Sequence, residues 1–352
     1  MTKDFSQGNG RAKRRHRPFL STTLYLIVAF LLLWLTLRQV TLVALWQVFA
    51  QLQGSRLLML LLLNGVVVAT MVIRWQLLLH ALGYQIPWLA LLRYRLAAFG
   101  VTYFTPGPQF GGEPLQVYLV HERHQVPLQD AIAAVTLDKV LEMLVKFGFL
   151  ACGVTLLISR GMLTGMLAYS GLALALLLLA IPLLLFFTFL RGKRPLQTLA
   201  HWIDRRYPTE AVAQQTWWQR VLIFVAESEA QAIQLCQGQP RPLFGALAVT
   251  LIGWGFMVAE FGYAAHALGA SFTFLEILLA MIAARVAYLL PMPAGIGTFE
   301  SALALAFHWL HQDPAGGLAL SLLIRGRDVL LGAIGLWLGR VAFHGRRQSG
   351  GR

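Results

Sequence analysis

The amino-acid sequence predicts an all-α polytopic membrane protein with about six transmembrane helices and two re-entrant hairpins of opposite orientation, each formed by a broken helix. Of its 352 residues, 57% are hydrophobic and only 12% are charged, whereas a soluble domain carries about 25% charged residues. The apolar residues form runs that are long enough to cross a bilayer. Such runs indicate helices, because only helices and closed barrels satisfy every backbone polar group in lipid.

Six apolar runs have the length of a transmembrane helix, at about residues 19–37, 57–79, 130–158, 163–190, 243–268 and 315–343. Three basic segments predict their orientation: Lys13–Arg17, the 191–206 loop and His344–Arg347. Lys and Arg next to membrane helices remain in the cytoplasm, so both termini and the central loop should lie there. The net charge of +14 thus indicates membrane topology and contact with anionic headgroups rather than nucleic-acid binding.

Two further apolar regions, 89–120 and 275–311, contain helix breaks with the sequences TPGPQFGGEP and LPMPAGIGTFE. Proline removes a backbone donor and glycine tolerates reversed backbone angles, so both residues end helices. To preserve the orientation, each region must enter and leave the membrane on the same side. One hairpin is therefore predicted to enter from the cytoplasm and the other from outside. The predicted break residues are Pro106, Gly107, Gly111, Gly112, Pro293, Gly295 and Gly297.

The two span–hairpin–span units, 57–158 and 243–343, predict an inverted-topology repeat. In each unit a glutamate follows a proline by seven residues, Glu113 after Pro106 and Glu300 after Pro293. The predicted organisation comprises a basic tail (1–18), a first transmembrane unit (19–190), a cytoplasmic linker (191–242), a second transmembrane unit (243–343) and a second basic tail (344–352).

The two glutamates allow two interpretations. A carboxylate at a helix N-terminus accepts exposed N–H groups and favours the positive end of the helix dipole, so Glu113 and Glu300 can be helix caps. Alternatively, the two half-helix starts face each other and form a site for a polar or charged group. In that case both glutamates belong to a substrate pathway.

Other charged residues fall within or at the ends of the apolar runs, where each costs roughly 2.5–3.5 kcal/mol at a helix centre. The candidates for a substrate pathway are Arg74, Asp138, Lys139, Glu142, Arg285, Arg325, Arg327 and Asp328. Two explanations remain open for the 138–146 segment, an internal ion-pair network and a polar pathway. For Arg74 and the arginines at the run ends, an extended side chain that reaches the headgroups is a further alternative.

Three stretches resemble the lysylphosphatidylglycerol synthase transmembrane-region family, also described as a flippase-like domain. They are NGVVVATMVIRWQLLLHALG (64–83), TPGPQFGGEP (105–114) and LPMPAGIGTFESAL (290–303). The resemblance implies that Arg74, Pro106, Gly112, Glu113, Pro293, Gly295, Gly297 and Glu300 are motif residues. One position departs from the pattern: many members carry arginine three residues after the first glutamate, where this chain has Gln116. This departure argues against a phosphate clamp at that position.

The resemblance implies lipid handling, and the expected function is that of a flippase or transporter that moves a polar-headgroup lipid across a bacterial inner membrane. A phospholipid, a hopanoid and a polyprenyl-linked lipid are all candidate substrates. The alternative is a non-transporting accessory subunit of an envelope lipid or glycan synthase, and a membrane-embedded transferase is a third, minor possibility. We expect no cofactor, no metal site and no catalytic residues; the expected partners are membrane lipids and a lipid- or glycan-modifying enzyme.

Overall fold

A computed structural model describes residues 53–104, 111–161, 163–195, 197–198, 202, 226–287 and 297–344. Within these ranges the chain is helical, as predicted. The helices are α1 (Gly54–Ala81), α2 (Trp88–Phe104), α3 (Glu113–His124), α4 (Leu128–Ser159), α5 (Gly165–Leu190), α6 (226–238), α7 (Pro240–Ala267), α8 (Phe274–Ala287), α9 (Thr298–Trp309) and α10 (Pro314–His344). The first predicted transmembrane run, 19–37, lies outside the described residues.

Four of the described helices, α1, α4, α5 and α7, are long and apolar enough to cross a membrane. They correspond to four of the predicted runs. Helix α10 has 31 residues, but four charged residues interrupt its apolar sequence. Large apolar side chains point outward from α5, with Met166 88% and Leu184 64% exposed. Such a surface is suited to contact with lipid tails rather than with water.

Both predicted helix breaks are present. Helix α2 ends at Phe104 and α3 begins at Glu113, while α8 ends at Ala287 and α9 begins at Thr298. The break residues Pro106, Gly107, Pro293 and Gly295 lie outside the described residues. Gly111 and Gly297 have φ angles of 143° and 79°, in the left-handed region that favours glycine.

Hydrogen bonds across each break satisfy backbone groups that the interrupted helices leave free. Near the end of α2, Thr102 Oγ1 accepts the backbone N–H of Gly112 at 2.9 Å. At the second break, Thr298 Oγ1 donates to the carbonyl oxygen of Ala287 at 3.4 Å. These contacts meet the requirement that irregular backbone in a membrane protein be buried against protein.

Helices α1 and α7, the first spans of the two predicted units, pack against each other in antiparallel orientation. Arg56 near the start of α1 donates to the carbonyl of Ala267 at the end of α7. Farther along the pair, Asn64 contacts Glu260, and Leu77 lies against Gly245. Equivalent helices that run in opposite directions are what an inverted-topology repeat requires.

The other contacts between the two units also come in pairs that correspond to each other in the predicted repeat. Helix α2, the first half of one hairpin, packs on α10 of the other unit, and α8, its counterpart, packs on α4. Within each unit, the second half-helix lies against the following long helix, α3 on α4 and α9 on α10. The same pairs of helices therefore meet when the two units are interchanged, although α2 packs far more extensively on α10 than α8 does on α4.

The loop between α1 and α2 is tied to the start of α4 outside the membrane-spanning segments. The Tyr84 hydroxyl donates to Asp130 Oδ2 at 2.5 Å. Burial, followed by this hydrogen bond to a carboxylate, raises the pKa of Tyr84 to about 12. The contact helps to hold α4 in place beside α1 and α2.

Glycines allow α2 and α10 to approach closely. A Cβ atom on Gly100 would lie 2.5 Å from the carbonyl oxygen of Gly332, and one on Gly335 would overlap with the carbonyl oxygen of Leu96. Backbone atoms cannot move aside as a flexible side chain can. Small residues at helix interfaces in membranes serve this kind of contact.

Replacement of Gly335 by alanine is expected to separate α2 from α10 and to destabilise the protein by about 2 kcal/mol, in the range of overpacked interiors. The measurement is thermal unfolding of the purified protein in detergent. Gly255→Ala is the matched control, because nothing lies within 4 Å of a Cβ at that helical glycine. Equal unfolding temperatures for the two variants would contradict the proposed contact.

Candidate functional site

A cavity of about 800 Å³ lies between helices of the two units. Its volume is within the range of small-molecule and cofactor sites. Most of its wall is apolar, but charged side chains from seven helices also reach it. They are Arg74, Arg95, Glu113, Asp138, Lys139, Glu142, Lys146, Glu260, Arg285, Arg327 and Asp328. The wall therefore combines lipid-like surface with a concentrated group of charges.

The first group of charges, which we call the α4 cluster, consists of Asp138, Lys139 and Glu142 of α4 with Arg74 of α1 and Arg95 of α2. Arg74 binds Asp138 through two nitrogen–oxygen contacts of 2.5 and 3.0 Å. Arg95 Nη1 lies 2.6 Å from the second Asp138 oxygen. A carboxylate that is 2% exposed thus accepts charge-assisted hydrogen bonds from two arginines, which are among the stronger interactions available in a protein.

Glu142 links the remaining members of the α4 cluster. Its carboxylate lies 3.3 Å from Arg74 Nη2 and 3.5 Å from Arg95 Nη2. Lys139 Nζ is 3.4 Å from the other carboxylate oxygen. The α4 cluster therefore joins the three helices α1, α2 and α4. This arrangement agrees with the ion-pair interpretation of the 138–146 segment, and its position on the cavity wall is compatible with the pathway interpretation as well.

Arg74 does not extend to the headgroups, which was one of the alternatives for this residue. Its side chain is buried, at 3% exposure, and is directed at Asp138 and Glu142. The desolvated guanidinium needs carboxylate partners, and the i, i+4 spacing of Asp138 and Glu142 on α4 supplies two on one helix face.

Glu113 has two roles at the first break. One carboxylate oxygen accepts the backbone N–H of Gly111 at 2.9 Å. The other lies 2.9 Å from Lys139 Nζ on α4. The side chain therefore binds the backbone just before the N-cap residue Gly112 and attaches the break to the α4 cluster.

Glu300 repeats this arrangement at the second break. One oxygen accepts the backbone N–H of Gly297 at 2.9 Å, and the other lies 2.9 Å from Arg325 Nη2 on α10. Gly297, rather than Thr298, is the residue that precedes the helix. Each glutamate thus holds a backbone N–H with one oxygen and a cation of the next long helix with the other.

The two glutamates do not contribute equally to the cavity. Glu113 lines it, whereas Glu300 and its partner Arg325 are not among the described residues of its wall. Glu113 alone of the two is thus a described wall residue, and a site in which both carboxylates face each other stays a prediction. Phe299, the neighbour of Glu300, occupies the wall position instead.

The second group of charges, the α10 cluster, consists of Arg327 and Asp328 of α10 with Glu260 of α7. Arg327 contacts Glu260 through Nη1 and Asp328 through Nε and Nη2 at 2.9 and 2.8 Å. Asn64 of α1 donates to Glu260 at 3.2 Å. Because Asn64 and Arg74 are ten residues apart on α1, the two clusters are separated by about 15 Å along that helix.

Arg285 of α8 contacts aromatic and sulfur groups of α7. Its guanidinium carbon lies 5.1 Å from the centroid of the Trp254 ring, within the range of a cation–π interaction. One of its nitrogens contacts the Met257 sulfur. Lys146 of α4 lines the same cavity.

Several residues of the cavity wall are not among the site residues that the sequence predicts. Arg95 lies in the segment LLRYRL, where two arginines in an apolar hairpin are a signal that sequence reasoning can use. Glu260 and Lys146 are charges within apolar runs, but nothing local assigns them to this cavity. Gln116, the departure from the family pattern, lines the cavity and accepts from Arg95 Nη1 at 3.4 Å.

The two glutamates are expected to differ in their contribution to stability. Glu300→Gln removes the carboxylate from Arg325, which is 2% exposed, and should lower the free energy of unfolding by about 3 kcal/mol. Glu113→Gln should cost about 1 kcal/mol, because Lys139 is 23% exposed and retains Glu142. Denaturant unfolding of both variants in detergent measures the difference. A larger loss for Glu113→Gln would contradict the assignment.

Comparison with known proteins agrees with the resemblance seen in the motifs. None of the curated proteins matches the chain. The family model for the lysylphosphatidylglycerol synthase TM region matches residues 23–335. The matched range includes both breaks, the α4 cluster and the α10 cluster. Since the match covers most of the sequence, the chain belongs to the lysylphosphatidylglycerol synthase transmembrane-region family.

Proposed function

We propose that the protein is a lipid flippase of a bacterial inner membrane, which moves a lipid with a polar headgroup from one leaflet to the other. The headgroup crosses through the central cavity while the acyl chains remain in the bilayer. Both termini lie in the cytoplasm, and transport requires no cofactor and no covalent step. The candidate substrates are a phospholipid, a polyprenyl-linked lipid and a hopanoid.

The observation that carries the proposal is the composition of the cavity wall. Charged side chains within apolar helices are expensive and generally mark a functional path. Here they surround a space large enough for a headgroup and replace the water that the headgroup loses. The apolar part of the wall, including Leu61, Met71 and Leu331, suits the glycerol and upper acyl region of a lipid.

The helix arrangement supports alternating access. Antiparallel helices α1 and α7 pack along each other, and α1 carries Arg74 of the α4 cluster while α7 carries Glu260 of the α10 cluster. In inverted-repeat transporters, substrates bind at the interface between the repeats, and movement of one repeat against the other opens the two sides in turn. The α4 and α10 clusters lie where such a movement would break and remake ion pairs.

The test is translocation of a headgroup-labelled fluorescent phospholipid in proteoliposomes, read from the fraction that dithionite cannot reduce. With rates normalised to the folded protein in each preparation, Asp138→Asn and Glu113→Gln are expected to slow translocation about tenfold, which corresponds to about 1.4 kcal/mol, because both residues line the cavity. Glu300→Gln should lower the signal only in proportion to the loss of folded protein. Arg160→Gln, an exposed arginine at the end of α4, is the control.

Unchanged rates in Asp138→Asn and Glu113→Gln would show that the headgroup does not pass through this cavity. Absence of translocation by the wild-type protein for phospholipid, polyprenyl-linked and hopanoid probes would overturn the proposal. That result would favour a non-transporting accessory subunit, for which copurification with an envelope lipid or glycan synthase is the direct assay.

A further inference from the structure

We propose that a groove between α3 and α4, on the outside of the helix bundle, binds an acyl chain of the lipid before the headgroup enters the central cavity. The groove has a volume of about 500 Å³ and lies beside that cavity. This inference rests on the proposed function, because it adds a site for the tail of the lipid to the cavity that receives the headgroup.

The groove follows the two helices lengthwise. Its wall is formed mainly by apolar side chains, among them Pro114, Val117 and Tyr118 of α3 and Leu128, Ile132 and Val135 of α4. Positions spaced by three or four residues lie on one face of a helix, so each helix contributes a continuous stripe. From Leu128 to Val135 the α4 stripe is about 10 Å long, and the hydrocarbon layer of one leaflet is about 15 Å deep. The groove therefore has room for most of an acyl chain within one leaflet.

The groove is accessible from the surroundings of the protein. Two large side chains of its wall are open on that side, Tyr118 at 45% and Leu128 at 37% exposure. An unbranched hydrocarbon chain fits along such a narrow apolar channel. A helix of another protein is about 10 Å wide and inserts only single side chains into it. An acyl chain is therefore the occupant that fills the groove along its whole length.

One end of the groove meets the central cavity near the first helix break. Glu113 and Val135 line both spaces. At this end Glu113 of α3 is bound to Lys139 of α4, with 2.9 Å between Oε1 and Nζ, and Lys139 lines the cavity as well. A lipid whose chain lies in the groove is therefore separated from the cavity only by contacts between α3 and α4.

The other end of the groove lies at the loop that joins the two helices. His121 lines the groove there, and its Nδ1 is 2.8 Å from the carbonyl oxygen of Val126. The last turn of α3 also carries Arg123 and His124. Polar side chains at the loop and apolar ones towards the break match the polarity of a lipid that stands in its leaflet with the headgroup at the loop.

Photo-crosslinking of the full-length protein in dodecyl maltoside tests the groove. Tyr118 is replaced by p-benzoylphenylalanine, an aromatic residue that attaches to neighbouring C–H groups on irradiation. The probe is dioleoylphosphatidylglycerol at concentrations below saturation, and mass spectrometry locates the attachment. The expected product is an adduct to the acyl chain. Tyr169→p-benzoylphenylalanine, at a position of α5 that is 79% exposed, measures contact with lipid outside the groove.

Two variants fill the groove, Ile132→Trp from α4 and Val117→Phe from α3. Each is expected to lower the lipid adduct at Tyr118 about tenfold, because lost burial of about two methylene groups has this effect on an affinity. The adduct at Tyr169 should not change. Leu177→Trp, the matched enlargement at a position of α5 that is 63% exposed, should leave both adducts unchanged. The unfolding temperature of each variant separates a loss of binding from a loss of folding.

An unchanged lipid adduct at Tyr118 in both filled variants would overturn the proposal. An adduct to detergent alone would overturn it as well, since the groove would then show no preference for lipid. Attachment to a second copy of the chain would assign the groove to a protein contact instead.

Translocation is measured separately, so that this inference and the proposed function can fail independently. Ile132→Trp is expected to slow translocation in proteoliposomes, with rates normalised to the folded protein. Loss of the Tyr118 adduct at an unchanged rate would show that the lipid in the groove is not the one transported, and would overturn the inference. A groove-dependent adduct in a protein that translocates no probe would overturn the flippase proposal and support the groove as a lipid site.

Discussion

The buried carboxylate of Asp138, held between Arg74 and Arg95, is the interaction on which the rest of the structure depends. A charge in an apolar interior is tolerated only when it is paired and hydrogen-bonded. Asp138 meets this condition through contacts with α1 and α2 at once. These contacts determine how the three helices α1, α2 and α4 lie around the cavity. The interaction that stabilises the helix arrangement therefore also brings charge to the cavity wall.

At each helix break, too, a carboxylate is stabilised by hydrogen bonding and by pairing with a cation. An interrupted helix exposes N–H groups that lipid cannot satisfy, and a glutamate placed just after the break provides an acceptor. The second oxygen of each glutamate binds a cation on the next long helix, Lys139 or Arg325. Each side chain therefore combines a backbone hydrogen bond at the break with an ion pair to another helix. Glu113 also lines the cavity, so its position is compatible with both the structural and the pathway interpretation. Glu300 binds Gly297 and Arg325 and is not among the described residues of the wall.

The two units correspond in helix order and in which helices meet, but not in charge. Arg74 and Glu260 each lie 20 residues after the first residue of their helices, α1 and α7, yet one is a cation and the other an anion. Each pairs with a residue of opposite charge on the last long helix of its own unit. Arg74 pairs with Asp138 on α4, and Glu260 pairs with Arg327 on α10. The two ends of the cavity consequently differ in detail although the helices repeat.

The sequence by itself determined the class of protein, four of the transmembrane helices and the positions of both breaks, since hydropathy and the properties of proline and glycine are local. It also determined that charged residues in apolar runs must be buried together or line a polar space. Only the tertiary structure decided which charges meet, because the partners of Arg74 and Glu260 are 64 and 67 residues away along the chain. It likewise placed Arg95 and Arg285 on the wall of the cavity. These outcomes depend on how the two units pack against each other, and no local pattern in the sequence contains that information.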